Sequence, residues 1–205
     1  MISIVDYGAG NLQSVRNAFF KLGADTIVAS TPDQLEDAQA LILPGVGAFG
    51  DAMEALCSRG FPDAIRAFLE SGRPFLGICL GMQLLLDSSE ESPGVEGLHI
   101  LKGTVRRFPS DMGLKVPHIG FNSIVRKNDA GLFDGVGEWP YYYFVHSYYC
   151  SLEDPSQCAA QAEYGLAFDA AARWRNVFAT QFHPEKSGAV GLRTLQNFLD
   201  IVENQ

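Results

Sequence analysis

No stretch of this chain reaches the roughly 18 apolar residues that a membrane-crossing helix needs, so a helical span is not expected. The first residues, Met1-Ile2-Ser3-Ile4-Val5-Asp6, lack the basic segment that opens a secretory leader and meet a carboxylate early, so they read as a first strand. Cysteine is scarce. Cys57, Cys79, Cys150 and Cys158 have neither metal-ligand spacing nor the density of a disulfide framework, which points to reduced thiols and a cytoplasmic location. Positive charge is scarce too: 15 Lys and Arg stand against 24 Asp and Glu, a net charge of −9. That balance argues against a nucleic-acid partner held through its phosphates. Repeats, low-complexity segments and linkers are missing. What remains, 205 residues of which 47% are hydrophobic, suits one α/β domain over residues 1–205 with a sizeable core.

The most informative segment is Pro74-Phe75-Leu76-Gly77-Ile78-Cys79-Leu80-Gly81-Met82-Gln83-Leu84. Its first half is a short apolar run of the kind a buried parallel strand uses. Gly77 and Gly81 flank Cys79 at two residues on either side, so the backbone can turn sharply and strand and helix can approach closely. This is the logic of a nucleophile elbow with sulfur in place of a hydroxyl. A thiol at a helix N-terminus also meets the positive end of the macrodipole, which favours the thiolate. Alone, the segment fits a buried core cysteine between two packing glycines equally well.

A second segment, Ala179-Thr180-Gln181-Phe182-His183-Pro184-Glu185-Lys186, narrows the choice. A cysteine nucleophile needs a base within hydrogen-bond reach, and the base needs a group that fixes its tautomer. His183 and Glu185 supply both, and Pro184 between them restrains the backbone. A satisfied core or surface imidazole would explain His183 alone but not the upstream Gly-Ile-Cys-Leu-Gly. A Cys79–His183–Glu185 triad accounts for both segments. A third run, Ala40 to Leu43, empties into Pro44-Gly45-Val46-Gly47-Ala48-Phe49-Gly50. This loop is neither a phosphate-binding Walker loop nor a dinucleotide fingerprint. Its glycines permit backbone N–H groups to face an anion, and they equally permit an ordinary strand-to-helix turn.

The first half alternates strands (2–6, 26–29, 41–43 and 75–78) with helical patterns (12–22, 34–38, 48–57 and 62–70), as in repeated βα units. The second half is richer in strands, expected at 99–108, 119–125, 142–149, 159–164 and 177–181, before an amphipathic helix at 188–202. The expected architecture is α/β: a mostly parallel central sheet with helices on both faces and added antiparallel strands in the second half.

The segments around Cys79 and His183 together resemble those of the class I (triad) glutamine amidotransferases, a flavodoxin-like fold. The opening Asp6-Tyr7-Gly8-Ala9-Gly10-Asn11-Leu12 is similar to the glutaminase subunits of imidazole glycerol phosphate synthases within that family. So are Pro44-Gly45-Val46-Gly47, Pro117-His118-Ile119-Gly120-Phe121-Asn122 and Gln181 to Ser187. The resemblance spans essentially the whole chain. It departs at Phe121, where the family has tryptophan, which removes an indole N–H donor. It implies that Cys79 attacks L-glutamine, His183 shuttles the proton and Glu185 orients His183. It further implies oxyanion donors at Leu80 and the Val46-Gly47 peptide, and substrate contacts from Gly47, Gln83, His146, Ser147 and Tyr148. No cofactor or metal is implied. The implied partner is a (β/α)8-barrel cyclase subunit, bound as a heterodimer, with Asn11, His118 and Tyr143 as interface positions. Three other readings stay open on the residues alone. The chain could feed ammonia to a surface-sugar synthase, act as an interaction subunit without catalysis, or be a cysteine hydrolase or redox sensor on a similar scaffold.

Overall fold

Short apolar runs form the strands, and the helices between them bury one face each. The computed structural model describes residues 1–204. The first half contains β1 (Ile2–Val5), α1 (Leu12–Lys21), β2 (Thr26–Ala29), β3 (Ala40–Gly45), α2 (Phe49–Ser58), α3 (Phe61–Glu70), β4 (Phe75–Cys79) and α4 (Leu80–Gln83). The second half adds β5 (Ser88–Ser89), β6 (Gly103–Arg107), β7 (His118–Ser123), β8 (Val125–Arg126), β9 (Tyr141–His146) and β10 (Tyr148–Leu152). It closes with β11 (Cys158–Glu163), β12 (Ala167–Trp174), β13 (Val177–Thr180) and α5 (Gly188–Glu203).

The main sheet runs β2-β1-β3-β4-β13-β12-β10-β6-β5. It is parallel from β2 through β13, and β12, β10 and β6 then continue it antiparallel. Side chains alternate across it as a strand's period of two demands. Ile2, Ile4, Ile42, Leu76 and Ile78 pack with Val15 and Phe19 of α1 and Leu195 and Phe198 of α5. Val5, Leu41, Leu43 and Phe75 pack on the opposite face with Phe49 and Leu56 of α2 and Phe61, Ile65 and Phe68 of α3. Burying each of these large side chains contributes about 1.5–3 kcal/mol. Helices therefore cover both faces, as the sequence leads one to expect. Among the described residues, no helix is long and apolar enough to cross a membrane.

Four details differ from expectation. The segment expected as a helix at 34–38 is a 3-10 turn over Pro32–Leu35, whose start is capped by Gln34 Oε1 accepting from Ser30 N at 2.7 Å and Thr31 N at 3.2 Å. Five residues are too few to offset the cost of helix nucleation. The strand expected from His99 begins only at Gly103, because His99 sits at φ 56°, in the left-handed region that extended backbone does not use. The strand expected over 142–149 is two: β9 pairs with β7 in a separate small sheet, and β10 joins the main one. Finally, β12 was not anticipated, since its Ala170, Ala171 and Ala172 have little intrinsic strand preference; pairing with β11 and β13 and full burial override that.

Candidate functional site

Three parallel strands deliver the site. Their registers set Gly45 of β3 beside Cys79, and Ile78 of β4 beside Thr180 of β13. The carboxyl ends of β3, β4 and β13 therefore bring Pro44 to Gly47, Cys79, and Gln181 to His183 to one place, where open parallel sheets present their ligand sites.

Cys79 is buried and ends β4 at φ 57° and ψ −110°, a conformation that costs a β-carbon-bearing residue about 1–3 kcal/mol. Its two glycines explain how the turn is tolerated. A β-carbon on Gly81 would overlap the Leu43 carbonyl oxygen, and one on Gly77 would sit 3.0 Å from the Gly81 carbonyl. The neighbouring loop is held from beneath. Tyr7 is fully buried and its hydroxyl donates to Pro44 O at 3.0 Å. Gly45 leaves room for that hydroxyl, which a β-carbon would crowd. The opening Asp-Tyr-Gly motif thus supports the Pro-Gly-Val-Gly loop. Gly47 follows at φ 102° with no atom near the place a β-carbon would take.

His183 Nδ1 lies 2.8 Å from Glu185 Oε1, with both side chains buried. With Nδ1–H donating to the carboxylate, the other ring nitrogen is left for the cavity, where among the described residues no group satisfies it at ordinary hydrogen-bond length. Burial disfavours the imidazolium, but the Cys79 thiolate and the Glu185 carboxylate outweigh it and raise the His183 pKa to about 9. A group raised in this way stabilises the fold fully below its unfolded value of 6.5, and that contribution is lost as pH rises through about 9.

Cys79 and His183 line a cavity of about 340 Å³ with Val46, Gly47, Leu80, Gln83, His146, Ser147 and Tyr148. Every residue expected to bind glutamine or its oxyanion is thus on one wall or another, while Glu185 stands behind His183. Gln83 Nε2 donates to Tyr148 O at 3.0 Å and to Gln181 Oε1 at 3.1 Å, which leaves its own carbonyl oxygen unused. His146 Nδ1 donates to the same Tyr148 carbonyl at 2.8 Å, so its Nε2 must accept, and His118 Nδ1 donates to it at 3.0 Å. Both imidazoles are neutral: burial pushes His146 down to about 3 and His118 down to about 4.

The expected interface positions separate. Tyr143 is half-buried and its ring meets the exposed Phe121 edge-on at 5.7 Å. Asn11 is exposed, with its side chain capping α1 through Ser14 N at 3.1 Å. His118 does not belong to the surface. Its even position on β7 turns it inward, where it is 3% exposed and stacks on Tyr164 at 4.0 Å. The residues of β7 that do reach solvent are Ile119 and Phe121, joined by Tyr141 of β9.

Two site residues escape a reading of the sequence. Glu91 lines the cavity and its carboxylate accepts from Phe49 N at 2.8 Å, capping α2 from 42 residues away. Nothing local announces it. Gln181 is fully buried beside Cys79, and here a signal exists: it precedes His183 by two, the spacing that puts strand residues on one face.

The chain belongs to the class-I glutamine amidotransferases, whose family model, "Glutamine amidotransferase class-I", matches residues 3–202. Within that family its similarity runs to proteins named imidazole glycerol phosphate synthase subunit HisH. The one from Methanothermobacter thermautotrophicus is 51% identical, covering 98% of this chain and 99% of its own length. The one from Syntrophotalea carbinolica is 53% identical over 98% of this chain and all of its own. Among solved structures, a glutamine amidotransferase covers 99% of this chain and 100% of its own at a TM-score of 0.78 and 21% identity. PurLQS from Thermotoga maritima gives 0.78 at 20% identity, over 98% of both chains. Those two likenesses speak for the fold alone.

Proposed function

We propose that this chain is the glutaminase subunit of an imidazole glycerol phosphate synthase, hydrolysing L-glutamine and passing ammonia to a (β/α)8-barrel cyclase subunit bound as a heterodimer in the cytoplasm. The observation that carries the chemistry is the meeting of Cys79, His183 and the Val46-Gly47 loop at one cavity, with Glu185 bonded behind the histidine. Identity of 51–53% over nearly the full length of relatives that bear the synthase-subunit name supports the pathway.

On this reading the steps follow from the groups at the cavity. The Cys79 thiolate adds to the side-chain amide carbon of glutamine, and the carbonyl oxygen becomes an oxyanion. Backbone N–H groups of Leu80 and of the Val46-Gly47 peptide stabilise that charge. The imidazolium of His183 protonates the amide nitrogen, the C–N bond breaks, and ammonia leaves a γ-glutamyl thioester on Cys79. Water then gives a proton to His183 and its oxygen to the thioester carbon; the C–S bond breaks, the starting ion pair returns, and the carboxylic acid released gives its proton to solvent and departs as glutamate. Gln83 offers its free carbonyl oxygen to a substrate N–H, and the 146–148 segment closes the opposite wall.

Ile119, Phe121 and Tyr141 form an exposed apolar face on the small sheet, and Val46 is exposed at the cavity. Such a face is suited to a docked partner, which would also keep ammonia from solvent. The test is glutaminase turnover of this chain alone and with a cyclase subunit plus its nucleotide ligand. Stimulation by that pair supports the reading, and a full rate without it would overturn it.

Glu185→Gln is expected to slow turnover by up to roughly ten-thousand-fold, since the amide no longer fixes the tautomer of His183 or stabilises its charged form. The alkaline limb of the pH–rate profile, set by imidazolium loss near pH 9, should move toward neutrality. An unchanged limb and rate would remove Glu185 from the machinery.

A further inference from the structure

We propose that Gln181 is a positioning residue for the nucleophile, its side-chain amide donating a hydrogen bond to Cys79 Sγ and favouring the thiolate. The inference rests on the reading of Cys79 as nucleophile, and its evidence is a chain of polarity that begins at a backbone carbonyl. Tyr148 O can only accept, so the end of Gln83 that faces it, at 3.0 Å, must be the Nε2 donor. That same nitrogen lies 3.1 Å from the side chain of Gln181, which must therefore turn its Oε1 acceptor that way. Cys150 Sγ, 3.9 Å from Oε1, is a donor consistent with this orientation. The remaining end of Gln181 is Nε2, and it lies 3.8 Å from Cys79 Sγ, within reach of an N–H to sulfur bond.

Gln181 is 0% exposed, so water cannot satisfy that amide. Among the described residues Cys79 Sγ is the side chain that accepts from Nε2. A buried donor facing sulfur is better satisfied by a thiolate than by a thiol, because the bond is then charge-assisted. Flipping Gln181 would set a donor against the Gln83 donor and an acceptor against the thiolate, so the orientation is over-determined.

The experiment is alkylation of Cys79 with iodoacetamide across pH, read by peptide mass mapping on the whole chain, which needs no glutamine. Gln181→Glu keeps an acceptor for Gln83 Nε2 and withdraws the donor from sulfur. Gln181→Met withdraws both at similar length. In each, the midpoint of the alkylation profile should rise by about half a pH unit or more, most in the glutamate variant. Glutamine turnover of the Gln181→Glu complex should fall in kcat with KM held within about twofold. In wild-type protein the Gln181 side-chain amide resonance should shift with the same midpoint as Cys79 alkylation, a readout that survives if neither variant folds. An unmoved midpoint in folded variants, or a resonance indifferent to Cys79 titration, overturns the proposal. A raised midpoint in a chain that never hydrolyses glutamine would instead sustain it and sink the proposed function.

Discussion

Cys79→Ala will leave a complex that makes its product from added ammonium salts and not from glutamine. Loss of the nucleophile should cut glutamine-dependent synthesis by roughly four orders of magnitude or more, because no neighbouring group can form the thioester in its place. Ammonia-dependent synthesis should be spared, since on the proposed mechanism Cys79 acts only in releasing ammonia. Substituting Cys79 withdraws one of the two groups that favour the imidazolium of His183, but Glu185 remains bonded to the ring and little volume is emptied, so the fold should persist. A glutamine mimic bearing an electrophile should label Cys79 and spare the other thiols. Burial holds Cys150 well above the ordinary thiol range and pushes Cys158 up to about 12. Cys57 is exposed on α2, away from the cavity wall. Equal loss with both nitrogen donors would refute this division of labour, as would a label found chiefly elsewhere.

Gly47→Ala should remove most of the stimulation that a partner gives while leaving docking nearly intact. At φ 102° Gly47 holds a backbone conformation that alanine resists, yet the space around it is open. The substitution therefore acts on the orientation of the Val46-Gly47 peptide and not on packing. If partner and nucleotide binding favour the orientation that aims an N–H at the oxyanion, stimulation should drop by about a hundred- to a thousand-fold, the usual worth of one such donor. Turnover with and without partner, beside a measured dissociation constant, separates the two effects. Normal stimulation of the alanine chain would show that the loop is no switch.

The parts of the site that are contiguous in sequence were legible there. Cys79 with its two glycines, and His183 with Glu185, each carry their geometry within a few residues. Gln83 was singled out only through the family resemblance, since a place one helical turn after Cys79 fits a solvated side chain as well. Parts assembled across the fold were not. His118 and His146 meet only because β7 and β9 pair in register, and that pairing turns His118 inward although its motif suggests a surface role. Glu91 reaches the cavity from a loop without a pattern of its own. The same divide holds for the architecture. Apolar runs gave away the parallel strands, whereas alanine-rich β12 takes its form from neighbours that the sequence does not name.

A backbone connection runs outward from the histidine to the small sheet. Tyr143, on the strand that carries the exposed aromatic face, accepts from His183 N through its carbonyl at 2.9 Å. Its own N–H donates at 3.0 Å to Ser187 Oγ, which in turn donates to His183 O at 2.6 Å. Two of these three links use only main-chain atoms of Tyr143. Mutational drift can therefore exchange the exposed side chains of β7 and β9 one by one without touching the hydrogen bonds that seat the histidine. The surface and the chemistry can evolve at different speeds on a shared strand, and Ser187 is the residue in this linkage whose side chain selection would have to keep.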